Sequence, residues 1–112
     1  MKEIQELTSI EEIDAFIKYH QLSFLYFSSP DCSTCRALLP KLRELLADYP
    51  LIHFGYIEAN KVEEVAGKFL ILTTPIMLLM IEKKEYVRED RFVRFAHLRG
   101  KLDQIYRLYH EY

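Results

Sequence analysis

The two cysteines of this chain, Cys32 and Cys35, lie in the segment Ser29-Pro30-Asp31-Cys32-Ser33-Thr34-Cys35-Arg36, where an apolar run ends and a helical pattern begins. Two thiols with this spacing at a helix start can close a disulfide with little motion. The free N–H groups of the first helical turn favour a thiolate on the first sulfur. The pattern therefore predicts a redox site.

The two sulfurs are expected to have different roles. Cys32 comes first in the pair, at the helix N-terminus, and we expect it to be the attacking nucleophile. Cys35 lies one turn further on, in the apolar stripe of the helix. We expect this second thiol to be more buried, to keep its proton longer and to resolve a mixed disulfide.

The residues around the pair should tune its reactivity in opposite directions. Asp31 places a negative charge beside Cys32, which opposes thiolate formation. Arg36 and the hydroxyls of Ser33 and Thr34 partly offset that charge by favouring the thiolate. The sequence therefore predicts a first thiol less acidic than that of a strong oxidase.

Metal binding is a weaker interpretation of the same two cysteines. A tetrahedral zinc site or an iron–sulfur cluster needs four ligands, and the chain has no second cysteine pair. The four histidines have no metal-ligand spacing, so a metal would need a second subunit that brings its own pair. We expect no metal and no bound cofactor, and a cluster-bridged dimer stays as an alternative.

Length and charge restrict the class of protein. The 112 residues predict one domain over 1–112. The net charge of -2 gives no general reason to expect nucleic acid or a membrane surface as partner. The first residues lack a signal-peptide pattern, which predicts a cytoplasmic protein, although a mature exported form stays open. In that reducing compartment a lone Cys-x-x-Cys is more often catalytic or metal-binding than structural.

Hydrophobic periodicity predicts the elements that position the cysteines. Apolar residues at helical spacing follow capping-box candidates at Thr8 and Ser9, which predicts a first helix. The short apolar run that comes next predicts a central strand. The cysteine helix contains Pro40 and ends before Pro50. A strand follows it, so the two strands should be parallel with a right-handed crossover. The predicted order is a helix over 9–20, a strand over 22–28, the cysteine helix and a strand over 51–57.

The second half of the chain predicts an antiparallel extension of this sheet. Asn60 is expected to cap a short third helix, and Pro75 opens the apolar run 76–81. A four-residue polar stretch over 82–85 then leads to a strand over 86–93, as in a hairpin. A C-terminal helix with an apolar stripe from Phe95 to Tyr109 should cover one face of the sheet.

This order of elements resembles the thioredoxin family over nearly the whole chain. The local matches are the run Phe24-Leu25-Tyr26-Phe27 leading into Cys32-Ser33-Thr34-Cys35, Pro40 in the helix, and Thr73-Thr74-Pro75-Ile76. The resemblance implies an α/β thioredoxin fold, a mixed central sheet flanked by helices on both faces. It also implies that Pro75 is cis beside the disulfide and that Thr74 offers backbone hydrogen bonds to a substrate strand.

Several positions depart from the usual pattern of that family. The most common thioredoxin site reads Trp-Cys-Gly-Pro-Cys, whereas Asp31, Ser33 and Thr34 stand at its variable positions here. A buried acid that helps to move the second thiol's proton is replaced by Tyr26, a poor base near neutral pH. Arg91 or Phe92 stands near the position of a glycine that leaves room for substrate. These departures imply slower resolution of a mixed disulfide and a narrower or differently shaped groove.

The expected function is that of a bacterial-type, thioredoxin-like thiol–disulfide oxidoreductase acting through Cys32 and Cys35. Its substrates would be protein disulfides or small thiols, bound near Thr74, Pro75, Asp31, Ser33 and Thr34, and its electrons would come from an external thiol reductant system. We expect a monomer or weak dimer that binds neither nucleic acid nor membrane. The alternative is a redox-inactive binding or adaptor protein with the same fold.

Overall fold

The computed structural model describes residues 1–110, and its elements follow the predicted order with one added strand. The last two residues of the predicted domain, 111 and 112, lie outside this range. The elements are β1 (Ile4–Glu6), α1 (Ile10–Tyr19), β2 (Leu22–Ser28), α2 (Ser33–Leu46), β3 (Ile52–Glu58), a 3-10 turn (Ala59–Lys61), α3 (Glu64–Lys68), β4 (Ile76–Ile81), β5 (Lys84–Glu89) and α4 (Phe95–His110).

The described strands form one mixed sheet in the order β1-β3-β2-β4-β5. Strand β2 lies at its centre, parallel to β3 and antiparallel to β4, and every residue of β2 is buried. Such a strand needs apolar side chains on both faces, which explains its continuous apolar run. The central strand, the mixed sheet and the fold class are confirmed.

Helices cover both faces of the sheet and create two separate apolar cores. One core contains Leu42 of α2 and Leu98 of α4. The other contains Ile13 of α1 and Val65 of α3. Since α2 packs on the sheet along its whole apolar stripe, its first turn is held against the end of β2. Among the described residues, no helix is long and apolar enough to cross a membrane.

The third helix differs from its prediction. Asn60 lies inside the 3-10 turn and does not cap an α-helix; α3 begins only at Glu64, without a side-chain cap. Val62 and Val65 are both buried, so the two positions serve the core although the chain bends between them. Burial at helical spacing therefore did not require a continuous helix.

The hairpin turn is shorter than predicted. Glu82 and Lys83 form the turn with φ values of 49° and 73°, and Lys84 already belongs to β5. Positive φ at both turn residues matches the twist of a two-residue hairpin, which glycine or asparagine usually provides. The second strand also ends early, because Asp90 starts a turn in which its carboxylate accepts a hydrogen bond from the Phe92 N–H at 2.9 Å.

Candidate active site

Cys32 and Cys35 form a disulfide at the N-terminus of α2, with their Cα atoms 5.2 Å apart. Cys32 is the N-cap, and its Sγ accepts a hydrogen bond from the Cys35 N–H at 3.0 Å. Cys32 is half-buried, whereas Cys35 is 1% exposed. The predicted difference in burial between the two sulfurs is confirmed.

The loop between β2 and α2 is fixed through backbone oxygens. The Cys32 N–H donates to the Ser29 carbonyl at 3.3 Å, and the Arg36 guanidinium donates to the Pro30 carbonyl at 2.7 Å. The first turn of α2 contains no acidic residue. Arg36 therefore holds the loop that leads to Cys32, a contact that the sequence does not reveal.

The segment around Pro75 lies directly beside the disulfide. The Thr74–Pro75 peptide bond is cis, as the resemblance implied. The Thr74 carbonyl oxygen lies 3.9 Å from Cys32 Sγ, and the Thr74 hydroxyl lies 3.0 Å from that of Ser29. The role of Ser29 was missed, because nothing in the sequence pairs it with a threonine 45 positions later.

Tyr26 is fully buried beneath the first turn of α2. Its hydroxyl donates to the Cys35 carbonyl oxygen at 2.6 Å. Burial, and to a smaller extent the neighbouring phenol of Tyr56, raises the pKa of Tyr26 well above its usual range. The phenol therefore stays protonated near neutral pH, and its hydrogen bond anchors the helix backbone below the sulfurs.

The other predicted contact residues surround Cys32 along the chain. Asp31 and Ser33 are exposed, and Thr34 is half-buried in the first turn of α2. The side chain of Phe92 is 77% exposed, with the Arg91 guanidinium 5.2 Å from its ring centroid. Substrate contact at Asp31, Ser33 and Thr34, like that at Thr74 and Pro75, stays a prediction.

Among the residues that the structure describes, no group of three or more histidine, cysteine, aspartate or glutamate side chains could hold a metal ion. His53 stacks on His20 with ring centroids 3.7 Å apart. Burial, followed by the nearby charges of His20 and Lys2, lowers the pKa of His53. His20 and His53 therefore form a packed aromatic contact.

Comparison with known sequences gives a family and a relative that matches nearly the whole chain. The family model described as Thioredoxin matches residues 4–102. Thioredoxin-like protein YdfQ of Bacillus subtilis is 49% identical over 109 residues, which are 97% of this chain and 97% of that protein.

Comparison with solved structures gives thioredoxins. Plasmodium falciparum thioredoxin has a TM-score of 0.79 at 20% identity, covering 89% of this chain and 97% of that one. Oxidized mitochondrial thioredoxin 3 from Saccharomyces cerevisiae has a TM-score of 0.78 at 18% identity, covering 90% and 94%. At these identities the likeness concerns the fold.

Proposed function

Since this chain belongs to the thioredoxin family, we propose that it is a thiol–disulfide oxidoreductase that exchanges or reduces disulfides in protein or small-thiol substrates through Cys32 and Cys35. One observation carries the proposal. The two sulfurs are bonded at a helix start, with the first half-buried beside the Thr74 carbonyl and the second enclosed. Two cysteines with only a structural role would not need this difference in burial between the two sulfurs.

In the reducing direction, the thiolate of Cys32 attacks one sulfur of the substrate disulfide. A mixed disulfide forms, and the other substrate sulfur leaves as a thiolate that takes a proton from water. Cys35 then loses its proton and attacks Cys32 Sγ, which releases the second substrate thiolate and closes the Cys32–Cys35 disulfide. Two electrons pass to the substrate, and an external thiol reductant restores the dithiol.

The proton of Cys35 must leave without help from a buried acid. Tyr26 occupies the position beneath the pair, but its hydroxyl donates to the Cys35 carbonyl oxygen. A phenol with a raised pKa is not a base near neutral pH. Water is therefore the proposed acceptor of this proton, and resolution of the mixed disulfide is slower than with a carboxylate at this position.

Substrate recognition is assigned to the segment before Pro75. The Thr74 carbonyl oxygen lies near Cys32 Sγ. In this proposal the Thr74 backbone pairs with an extended polypeptide that presents its disulfide to the sulfur, in the manner of a short added strand. Asp31, Ser33 and Thr34 form the adjoining rim. A small disulfide requires only access to Cys32.

A redox titration tests this function. The protein is equilibrated in graded dithiothreitol and glutathione buffers, free thiols are trapped by alkylation, and the fraction of Cys32–Cys35 disulfide is measured by mass, with Cys32→Ser as the control. A reversible two-electron transition between about -300 and -120 mV is expected of an exchange protein.

The opposite result favours a protein of another class. Thiols that stay unreactive in the folded protein, or a disulfide that does not form reversibly, contradict the proposed activity. The adaptor interpretation then gains support, particularly if Cys32→Ser keeps the full biological activity of the wild type.

A further inference from the structure

Arg88 of β5 joins two distant parts of the chain through one guanidinium. Nε and Nη2 donate to the two carboxylate oxygens of Glu85 at 3.0 and 2.9 Å. Nη2 also donates to the Phe69 carbonyl at 2.6 Å, and Nη1 donates to the Leu70 carbonyl at 3.3 Å. The fork of the guanidinium therefore holds a carboxylate on one side and two backbone oxygens on the other.

A β-bulge makes this arrangement possible. Residues three apart on a regular strand face opposite sides of the sheet. The register of β5 shifts between Leu79 and Met80, so that Val87 pairs with Leu79 and Glu85 with Met80, leaving Tyr86 as the extra residue. Glu85 and Arg88 consequently lie on one face, where their side chains meet; bulges are known to redirect side chains in this way.

The backbone that Arg88 holds alternates between buried and exposed residues, and the Phe69 and Ile71 N–H groups both donate to the Val65 carbonyl. Leu70 has a φ of 57°, a left-handed conformation that is unfavourable for leucine by about 1 kcal/mol. Leu70 and Leu72 are 68% and 82% exposed, so they add little packing. Phe69 and Ile71 are buried and anchor the start and middle of the segment. Arg88 supplies a side-chain contact to this segment from the sheet.

The segment that Arg88 holds ends at the substrate side of the disulfide. From Leu70 the chain reaches Thr74, whose carbonyl oxygen lies 3.9 Å from Cys32 Sγ, in four residues. Only residues 71–73 separate the two held carbonyls from Thr74, so we expect a shift of the Phe69 and Leu70 backbone to change the position of the Thr74 backbone.

We propose that Arg88 is a positioning residue for polypeptide disulfides: it holds the 69–74 loop so that the Thr74 backbone can pair with an extended substrate. This inference rests on the proposed function of Cys32 and Cys35. A polypeptide substrate uses both the Thr74 backbone and the sulfur, whereas a small disulfide uses the sulfur alone. Loss of Arg88 therefore affects the first class of substrate selectively.

The test compares two substrates in parallel. Reduced wild type, Arg88→Ala and Arg88→Lys are reacted with a synthetic peptide carrying one intramolecular disulfide and with 2-hydroxyethyl disulfide. For Arg88→Ala we expect kcat/KM toward the peptide to fall about tenfold, mainly through a higher KM, with the small disulfide unaffected. Arg88→Lys recovers part of the loss, because one ammonium reaches only some of the oxygens.

Two further variants separate positioning from stability. Glu85→Gln removes the carboxylate charge and leaves the two carbonyl contacts of Arg88, so a smaller, peptide-selective loss is expected; this variant also serves if Arg88→Ala does not fold. Arg99→Ala is the matched control, because Arg99 forms an exposed ion pair with Asp48 elsewhere on the molecule. We expect it to react like the wild type with both substrates.

The outcomes distinguish the two levels of the proposal. Equal losses with both substrates, or no loss with either, in Arg88→Ala and Glu85→Gln overturn the role of Arg88 while the wild type stays active. A wild type that reduces neither substrate overturns the proposed function itself. A selective loss with the peptide, repeated at smaller size in Glu85→Gln, supports the assignment.

Discussion

The two ends of helix α2 are held in different ways. At the N-terminal end, side chains bond to backbone oxygens: Tyr26 to the Cys35 carbonyl and Arg36 to the Pro30 carbonyl. Beyond the C-terminal end, a pair of side chains makes the connection to another helix. The buried Tyr49 donates its hydroxyl to an Asp103 carboxylate oxygen of α4 at 2.5 Å.

This difference separates reactivity from support. The N-terminal end leaves Cys32 half-buried and reachable, and the hydrogen bonds of Tyr26 and Arg36 hold the backbone without covering the sulfur. The C-terminal end connects the helix to α4 through Tyr49, whose ring also packs edge-on against Tyr106 with centroids 5.3 Å apart. Because α2 is secured beyond its C-terminal end, Cys32 at its N-terminal end can stay accessible. Changes to the sulfurs and to the charge beside them should therefore alter disulfide exchange, whereas changes to the hydrogen bonds that secure either end should alter stability.

The largest expected effect comes from breaking the reactive end. Cys32→Ser removes the attacking thiolate, and we expect all disulfide exchange to be lost. Cys35→Ser keeps the attack and removes the resolving thiol, so a stable mixed disulfide with the substrate should accumulate. Mass spectrometry of each reduced variant after incubation with the peptide disulfide measures both results. Accumulation of the adduct in Cys32→Ser instead would reverse the two assigned roles.

Breaking the far end should reduce stability and leave exchange in place. Tyr49→Phe removes the hydrogen bond to Asp103 and keeps most of the ring packing, so the free energy of unfolding falls by about 1 to 2 kcal/mol. Urea unfolding of the oxidised protein measures the loss. The rate of reaction of reduced Tyr49→Phe with 2-hydroxyethyl disulfide should equal that of the wild type, and a slower rate would contradict the separation of the two ends.

The pH dependence of stability gives a second measurement of the same contact. Burial, followed by the hydrogen bond to Asp103, raises the pKa of Tyr49 to about 12. An unfolded tyrosine has a pKa of about 10. The neutral phenol therefore contributes its full stabilisation below about pH 10 and loses it as the pH rises toward 12. We expect the unfolding free energy to fall less steeply over this window in Tyr49→Phe than in the oxidised wild type.

A smaller effect is expected from Tyr26, which lies under the reactive end. Tyr26→Phe removes the hydrogen bond to the Cys35 carbonyl and should lower the free energy of unfolding by about 1 kcal/mol. Because the phenol contacts the carbonyl and is not a base, the decay rate of the mixed disulfide should stay at the wild-type value. Stopped-flow measurement of that decay checks this, with Tyr56→Phe as the control; a marked slowing in Tyr26→Phe alone would assign the phenol a part in proton transfer.

The main helices and strands could be predicted because their hydrophobic patterns extend over many residues. The buried run of β2 and the apolar stripe of α2 each extend over several residues and have few alternative interpretations. Strand β1 is only three residues long, and its pairing with β3 has no periodic signal. The turn at Glu82 and Lys83 was hidden because neither residue is of the type that normally adopts positive φ.

The paired cysteines at the helix start were predicted from their spacing, and the cis bond before Pro75 was implied by the family resemblance; most of the contacts that support them were not predicted. Three of these contacts involve partners that cannot be read from a sequence. Ser29 contacts a hydroxyl 45 positions away, and Arg36 and Tyr26 each donate to a backbone carbonyl. The same holds for Arg88, whose contacts depend on a bulge in β5. Contacts to backbone oxygens require the folded path of the chain.

The smallest predicted effect compares one charge at each end of α2. Asp31 is exposed and precedes Cys32 in the chain, so Asp31→Asn should favour the thiolate and raise the rate with 2-hydroxyethyl disulfide at pH 7 by about two- to threefold, the size expected for an exposed charge. The gain should shrink as salt is added, because the screening length falls to roughly 3 Å at 1 M. Asp48→Asn makes the same change beyond the far end, where Asp48 pairs with Arg99 at 3.0 Å, and should leave the rate unaltered. Equal rates in the two variants would mean that the charge of Asp31 does not set the reactivity of Cys32.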